Sequence, residues 1–341
     1  MKSWRSRCGR LAALWLAFAF VATPAQSQPM SVEAQSRALS RASDAVIGVQ
    51  VQAVEDARSA ATLGRLREGS GVVISADGLV LTIGYLVLEA ERVELVTDDA
   101  RRIPARVVAY DLATGFGLVQ ALAPIERAPV PLGDPAAVGS EEPLVIASGG
   151  EDAAVSVARL VSRRPFAGYW EYHIDGALFT HPPRRDHGGA GLFNGRGELL
   201  GVGSLFVANA GPEGTSPLPG NMFVPVDLLK PIMAELLQRG ASRASTRAWL
   251  GLNCIEQGGQ VRVARVNEDS PADVAGVQRG DQVLAIDGVA VRDVAALWKA
   301  LWAGGAPERA VKLTIRRGDE RQELTLQSVD RAKTLKRARG V

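Results

Sequence analysis

From residue 46 onward, short apolar runs alternate with clusters of Gly, Pro, Asn, Asp and Ser. Residues 46–51, 72–74, 79–81, 93–96, 103–108, 116–122, 144–147, 155–161, 178–180, 199–202 and 222–226 each read as a strand. Ser75-Ala76-Asp77-Gly78 between the second and third is a hairpin signal, with Gly78 free to take positive φ. A series of this kind, with no long helical pattern inside it, predicts an all-β barrel pair or sandwich.

Helical spacing appears in only a few places. Residues 31–45 form a polar helix-like stretch. Leu228, Leu229, Ile232, Leu236 and Leu237 follow Asp227 as a cap, with Pro231 near the first turn and Gly240 as a stop. A small-residue linker with Ser and Arg covers 241–248. Beyond it, strands at 261–266, 282–286, 311–316 and 322–326 surround a short helix near 272–275 and a second helix over 293–303. That second helix places Val294, Leu297, Trp298 and Leu301 on one face, which predicts a compact α+β unit over 249–329.

Composition supports two domains: 341 residues, 47% hydrophobic, are ample for two buried cores. Lys2, Arg5, Arg7 and Arg10 precede an uncharged apolar run over 11–22 and then small residues, the pattern of an export signal covering 1–27. The run is shorter than the ~20 residues a membrane span needs, so a cleaved signal is expected rather than a membrane anchor. Localisation is then periplasmic or secreted. The net charge of +2 includes these four basic residues, so the rest of the chain comes to −2. Within that remainder, 330–341 is a basic tail, expected to be a frayed end. The body is therefore acidic, which argues against nucleic acid as a partner. Cys8 leaves with the signal and Cys254 stands alone, a small buried strand residue rather than half of a disulfide.

Three motifs carry a family resemblance. Gly69-Ser70-Gly71-Val72-Val73-Ile74 with Asp77-Gly78-Leu79-Val80-Leu81-Thr82 is one. Asp186-His187-Gly188-Gly189-Ala190-Gly191-Leu192 followed by Asn194-Gly195-Arg196-Gly197-Glu198-Leu199-Leu200-Gly201 is the second. Ser270-Pro271-Ala272, Ala275-Gly276-Val277-Gln278-Arg279-Gly280-Asp281 and Leu284-Ala285-Ile286-Asp287-Gly288 are the third. On these, residues 46–240 resemble the protease domain of the HtrA family, and 249–327 resemble its PDZ domain. The resemblance implies a mainly β fold, a trypsin-like double β-barrel followed by an α+β PDZ domain; 28–45 stands outside it as an N-terminal helical segment.

The same resemblance puts unsuitable residues at the catalytic positions. Tyr85 stands where the family has its histidine, Gly115 where it has its aspartate, and Gly188 where it has its serine. Acyl transfer needs a nucleophile, a base and a group that orients the base. Gly188 has no side chain, Gly115 cannot orient anything, and a tyrosine of ordinary pKa ~10 is protonated at neutral pH. Losses within such a triad cost about 10⁶-fold in turnover. The remaining candidates for a relocated site are His187 beside the vacant position and Ser204 on the next strand. His173, His181 and His187 lack the spacing of a metal site, so neither a metal nor a cofactor is expected.

The resemblance gives the second domain a peptide-binding role. Trp249-Leu250-Gly251-Leu252 matches the PDZ loop whose backbone amides take a peptide's terminal carboxylate, and the 293–303 helix would line the groove. The implied function is an exported, non-catalytic HtrA-like protein that binds peptides or misfolded-protein C-termini in envelope quality control. The alternatives are a divergent serine endopeptidase with a relocated nucleophile, and a structural partner subunit of an active HtrA-like protease.

Overall fold

The computed structural model describes residues 31–139, 142–212 and 214–336. The export signal expected over 1–27 lies outside them, as does the end of the basic tail.

The first barrel is formed by β1 (Val46–Ala53), β2 (Leu66–Val73), β3 (Leu79–Ile83), β4 (Ala90–Val96), β5 (Arg102–Tyr110) and β6 (Phe116–Ala121). It closes in the order β1-β2-β3-β6-β5-β4. Closure leaves no free sheet edge and turns one face of every strand into a common core. Ile47, Val49, Leu81, Leu95, Phe116 and Leu118 fill that core, each worth about 1.5–3 kcal/mol of burial. Gly78 takes φ 84° in the β2–β3 hairpin, as its sequence requires. Two single-turn helices, α2 (Ala60–Leu63) and α3 (Gly84–Val87), interrupt the strands. They follow α1 (Val32–Asp44), which Ser31 caps by accepting from the Ala34 amide.

The second barrel contains β7 (Pro143–Ser148), β8 (Ala154–Ala167), β9 (His173–His181), β10 (Gly191–Phe193), β11 (Leu199–Val207) and β12 (Gly220–Pro225), closed as β10-β11-β12-β9-β8-β7. β10 escaped the sequence reading because three residues behind a glycine-rich loop are too few to show a period.

Two expectations, for the helix after the second barrel and for the tail, are corrected. The helix expected from Asp227 begins only at Met233, as α4 (Met233–Arg239). Val226–Leu228 forms a separate 3-10 turn, and the Asp227 carboxylate pairs with Lys230 Nζ at 2.8 Å instead of capping. Pro231 lacks an N–H and disfavours helical geometry in the residue before it, so the two pieces do not join. Gly240 does stop α4, at φ 77°. The 241–248 segment is tied to the first barrel: Ser242 and Ser245 are buried, and both bond the Asp111 carboxylate. The tail is tied down as far as residue 336, where the Lys336 amide donates to the Glu89 carboxylate at 2.7 Å.

The C-terminal module begins with β13 (Ala248–Trp249), which pairs with β20 (Val329–Asp330). Its sheet holds β14 (Leu252–Gln257), β15 (Gln260–Val266), β16 (Gln282–Ile286), β17 (Val289–Ala290), β18 (Ala310–Arg317) and β19 (Glu320–Gln327), in the order β14-β15-β16-β18-β19 with β17 beside β16. Two helices complete it, α5 (Pro271–Val274) and α6 (Val294–Ala303). The expected face of α6 is buried: Val294, Leu297, Trp298 and Leu301 pack with Cys254 and Leu313. β14 is therefore an edge strand with α6 packed beside it, the arrangement that can accept an added strand.

Candidate functional site

Two sites emerge, one between the barrels and one in the C-terminal module. At the first, α3 presents Tyr85 toward the loop after β9. Buried Arg67 fixes α3 by donating from Nη1 to the carbonyls of Tyr85 at 3.0 Å and Leu88 at 2.6 Å. The loop is held by the Ser70 amide donating to Gly188 O and the Gly189 amide to Gly203 O, both at 2.8 Å. Gly189 takes φ 76°, and a side chain there would overlap the Ser70 carbonyl, so only glycine serves.

Tyr85 and Gly188 meet directly. The Tyr85 hydroxyl donates to the Ser204 carbonyl at 3.2 Å, and a Cβ on Gly188 would lie 2.6 Å from the same hydroxyl oxygen. The phenol thus takes the space that a side chain at 188 would enter. Burial pushes its pKa up to about 12, so it holds its proton at neutral pH and cannot serve as a base. Gly115 reaches the same helix through its backbone: its carbonyl accepts from the Gly84 amide at 2.6 Å. Gly115 sits at φ 82°, with Tyr172 Oη 3.0 Å from where its Cβ would be.

His187 and Ser204 do not form a substitute pair. His187 Nδ1 engages the Arg184 carbonyl at 3.0 Å, and among the described residues no hydrogen bond joins it to Ser204. Asp186 is bound by Arg184 and Ser148. Burial opposes its ionisation, but those partners prevail and hold the carboxyl below its usual range. The cleft above, about 550 Å³, is lined by Arg102, Glu151, Arg185 and Asp186 among others. His173 and His181 lie at opposite ends of β9. Among the described residues no group of three His, Cys, Asp or Glu is placed to hold a metal.

At the second site, the amides of Leu250, Gly251 and Leu252 converge on a single acceptor. Gly251 takes φ 82°, and a side chain there would fall on Ser270 Cβ, so this turn requires glycine. Trp249, expected to share the loop, pairs instead with Val329 on β20; the converging donors begin at Leu250. The acceptor is a carboxylate of the chain itself. Glu171 Oε1, from the turn between β8 and β9, receives Gly251 N at 2.9 Å, Leu252 N at 3.1 Å and Leu250 N at 3.3 Å. Two residues earlier, the Tyr169 carbonyl accepts from the Cys254 amide of β14 at 2.6 Å. On the α6 side, Trp298 Nε1 donates to the Gly168 carbonyl at 2.9 Å. Burial pushes the Glu171 carboxyl up, with the nearby Arg331 and the amides pulling the other way. Cys254 is fully buried beside this turn, and its thiol is pushed well above its usual value by burial.

Residues 69–202 match the trypsin-like peptidase domain family, and residues 248–327 match the PDZ domain family. A probable periplasmic serine endoprotease, DegP-like, from Brucella suis biovar 1 is 26% identical over 281 residues, covering 76% of this chain and 52% of the relative. This chain is a homologue of the DegP/HtrA serine proteases. The putative serine protease HhoA of Synechocystis is also 26% identical, over 287 residues, covering 76% of this chain and 70% of that protein. The chain spans about half the length of the DegP-like relatives it matches. Among solved structures, the HtrA-type protease AlgW with decapeptide aligns with TM-score 0.52 at 18% identity, over 87% of this chain and 98% of that one. The serine endoprotease from Yersinia pestis aligns with TM-score 0.52 at 19% identity, over 89% of this chain and 99% of that one. Both likenesses concern the fold: a trypsin-like double barrel followed by a PDZ domain.

The second site lies inside the PDZ-matching module, with β14 and α6 on its two sides and the 250–252 amides at one end. Glu171 was not singled out in the sequence. The available signal was one acidic residue inside the aromatic run Tyr169-Trp170-Glu171-Tyr172.

Proposed function

We propose that this protein is a non-hydrolysing member of the DegP/HtrA group that recognises peptide C-termini through its PDZ domain and works in the cell envelope. The observation that carries the first part is the contact between Tyr85 and Gly188. A phenol that keeps its proton to about pH 12 occupies the room a nucleophile would need. Every catalytic part is then missing at once: attacking atom, base and orienting carboxylate. Peptide recognition is supported by the three converging amides at Leu250–Leu252 and by a relative's fold solved with a decapeptide. The envelope assignment is supported by periplasmic relatives and by the basic–apolar start of the chain. Among the described residues no helix is long and apolar enough to cross a membrane.

The test is turnover of casein by the chain lacking residues 1–27, alongside labelling by a fluorophosphonate probe. The expected result is neither hydrolysis nor labelling. Hydrolysis that disappears in His187→Ala or Ser204→Ala would establish a relocated active site and end this reading.

A further inference from the structure

We propose that Gly168–Glu171 is a built-in ligand of the PDZ groove, so that an outside peptide enters only by displacing this segment. The proposal rests on the reading of the groove as a carboxylate-terminated peptide site, and it adds how that site is regulated.

Strand addition to a sheet edge has two parts: main-chain hydrogen bonds along the edge strand, and capture of a terminal carboxylate in a nest of amides. The chain supplies both from the turn between β8 and β9. Tyr169 O pairs with the amide of Cys254 on edge strand β14. Glu171 Oε1 takes all three amides of the nest, so a side-chain carboxylate stands for a peptide's terminal one. Trp298 of α6 holds Gly168 from the opposite wall. Glu171 is only 4% exposed, and the Arg331 guanidinium holds its main-chain carbonyl at 3.1 Å. A buried carboxylate that shared no hydrogen bonds would be strongly disfavoured, so the three amides and the carboxylate each need the other.

The same turn reaches the vestigial site. Tyr172, next in sequence, donates its hydroxyl to Thr114 O at 2.7 Å and lies over Gly115. Pulling Glu171 out of the groove therefore disturbs the residue packed on the first barrel.

An intramolecular ligand lowers apparent affinity by the fraction of time the groove is open. The probe is a fluorescein-labelled peptide of the chain's own sequence 164–170, ending in a free carboxylate on the tryptophan, with its C-terminal amide as control. Binding is followed by anisotropy on the chain lacking residues 1–27. Glu171→Ala is expected to bind the acid form at least tenfold more tightly than the wild type and to ignore the amide form. Trp298→Phe, which removes the bond to Gly168 and thins the buried packing under α6, is expected to gain several-fold without losing the carboxylate preference. In parallel, hydrogen exchange at Leu250–Cys254 is expected to be slow in the wild type and at least tenfold faster in Glu171→Ala and Glu171→Gln. Equal, carboxylate-dependent binding by wild type and Glu171→Ala would overturn the built-in ligand while leaving the groove a peptide site. Slow exchange that depends on Glu171, with no peptide bound by any variant, would uphold the internal contact and refute the outside ligand. Fast exchange at these amides in the wild type would overturn the proposal outright.

Discussion

The Tyr85 hydroxyl oxygen stands 2.6 Å from the point where any side chain on Gly188 would begin. The two residues come from different barrels and are separated by about a hundred positions, yet each explains the other. A tyrosine on α3 fits because 188 carries no side chain, and 188 tolerates no side chain because the phenol is there.

That relationship makes the two positions energetically coupled. Gly188→Ser alone is expected to cost about 1–3 kcal/mol, since overpacking forces Tyr85 from its bond to Ser204. In a Tyr85→Phe background, where the hydroxyl is gone, the same serine should cost at least 0.5 kcal/mol less, about the smallest coupling a cycle resolves. Urea unfolding of the four proteins measures the difference. Additive effects would mean that the hydroxyl is not what keeps position 188 bare.

Placing an aspartate at 115 should be costly as well. Gly115 sits at φ 82°, where a side chain costs about 1–3 kcal/mol, and Tyr172 Oη lies 3.0 Å from the new Cβ. The triple variant Tyr85→His, Gly115→Asp, Gly188→Ser is therefore expected to be less stable than the double variant without the 115 change. It should show no more casein hydrolysis. Activity that appears only in the triple variant would show that this backbone can relax around an aspartate.

Asp111 ties the first barrel to the segment leading into the PDZ domain, and this tie should weaken in acid. Burial opposes ionisation of its carboxyl, but hydrogen bonds from Ser242, Ser245 and Thr114 overcome it and hold the pKa below 3.8. A depressed carboxyl contributes stability that is complete above the unfolded-state pKa of about 3.9 and lost as pH falls through the folded value. Asp111→Asn should therefore cost about 1.5–3 kcal/mol at pH 7, the range for hydrogen bonds to a charged group. Its deficit relative to wild type should shrink as the pH is taken toward 3. A deficit that does not change between pH 7 and 3 would contradict the assignment.

Gly251→Ala should open the amide nest. The residue takes φ 82° and the new methyl would fall on Ser270 Cβ, so the turn must shift. A loss of about 1–3 kcal/mol is expected from the backbone alone. Hydrogen exchange at Leu250 and Leu252 should accelerate while that of the first barrel stays as it was. Unaltered exchange at both amides would show that the nest survives without its glycine.

Much of this architecture was legible because it is local. Val49, Leu81 and Leu118 fall in short apolar runs bounded by turn residues, a signal visible in a few positions, and closing the barrels buries those runs. α6 was expected over 293–303 from its apolar face, and the Asp293 carboxylate caps it by accepting from the Ala296 amide at 2.6 Å. The α4 boundary went wrong because Pro231 was credited with a place in a first turn that the chain does not make there. The start of the tail, as far as Lys336, is held rather than frayed because its charge pattern says nothing of Glu89, whose carboxylate lies more than two hundred residues away.

By itself the sequence determined the double barrel and the PDZ module, and it put Tyr85, Gly115 and Gly188 forward as the residues to follow. Only the tertiary structure decided what occupies those places. Period, caps and glycine turns are written into neighbouring residues, so local sequence carries them. The approach of Tyr85 to Gly188, and of Glu171 to the amides of Leu250–Leu252, depends on distant segments meeting at hydrogen-bonding distance. A carboxylate in an aromatic run becomes a ligand only once folding has brought three N–H groups in front of it.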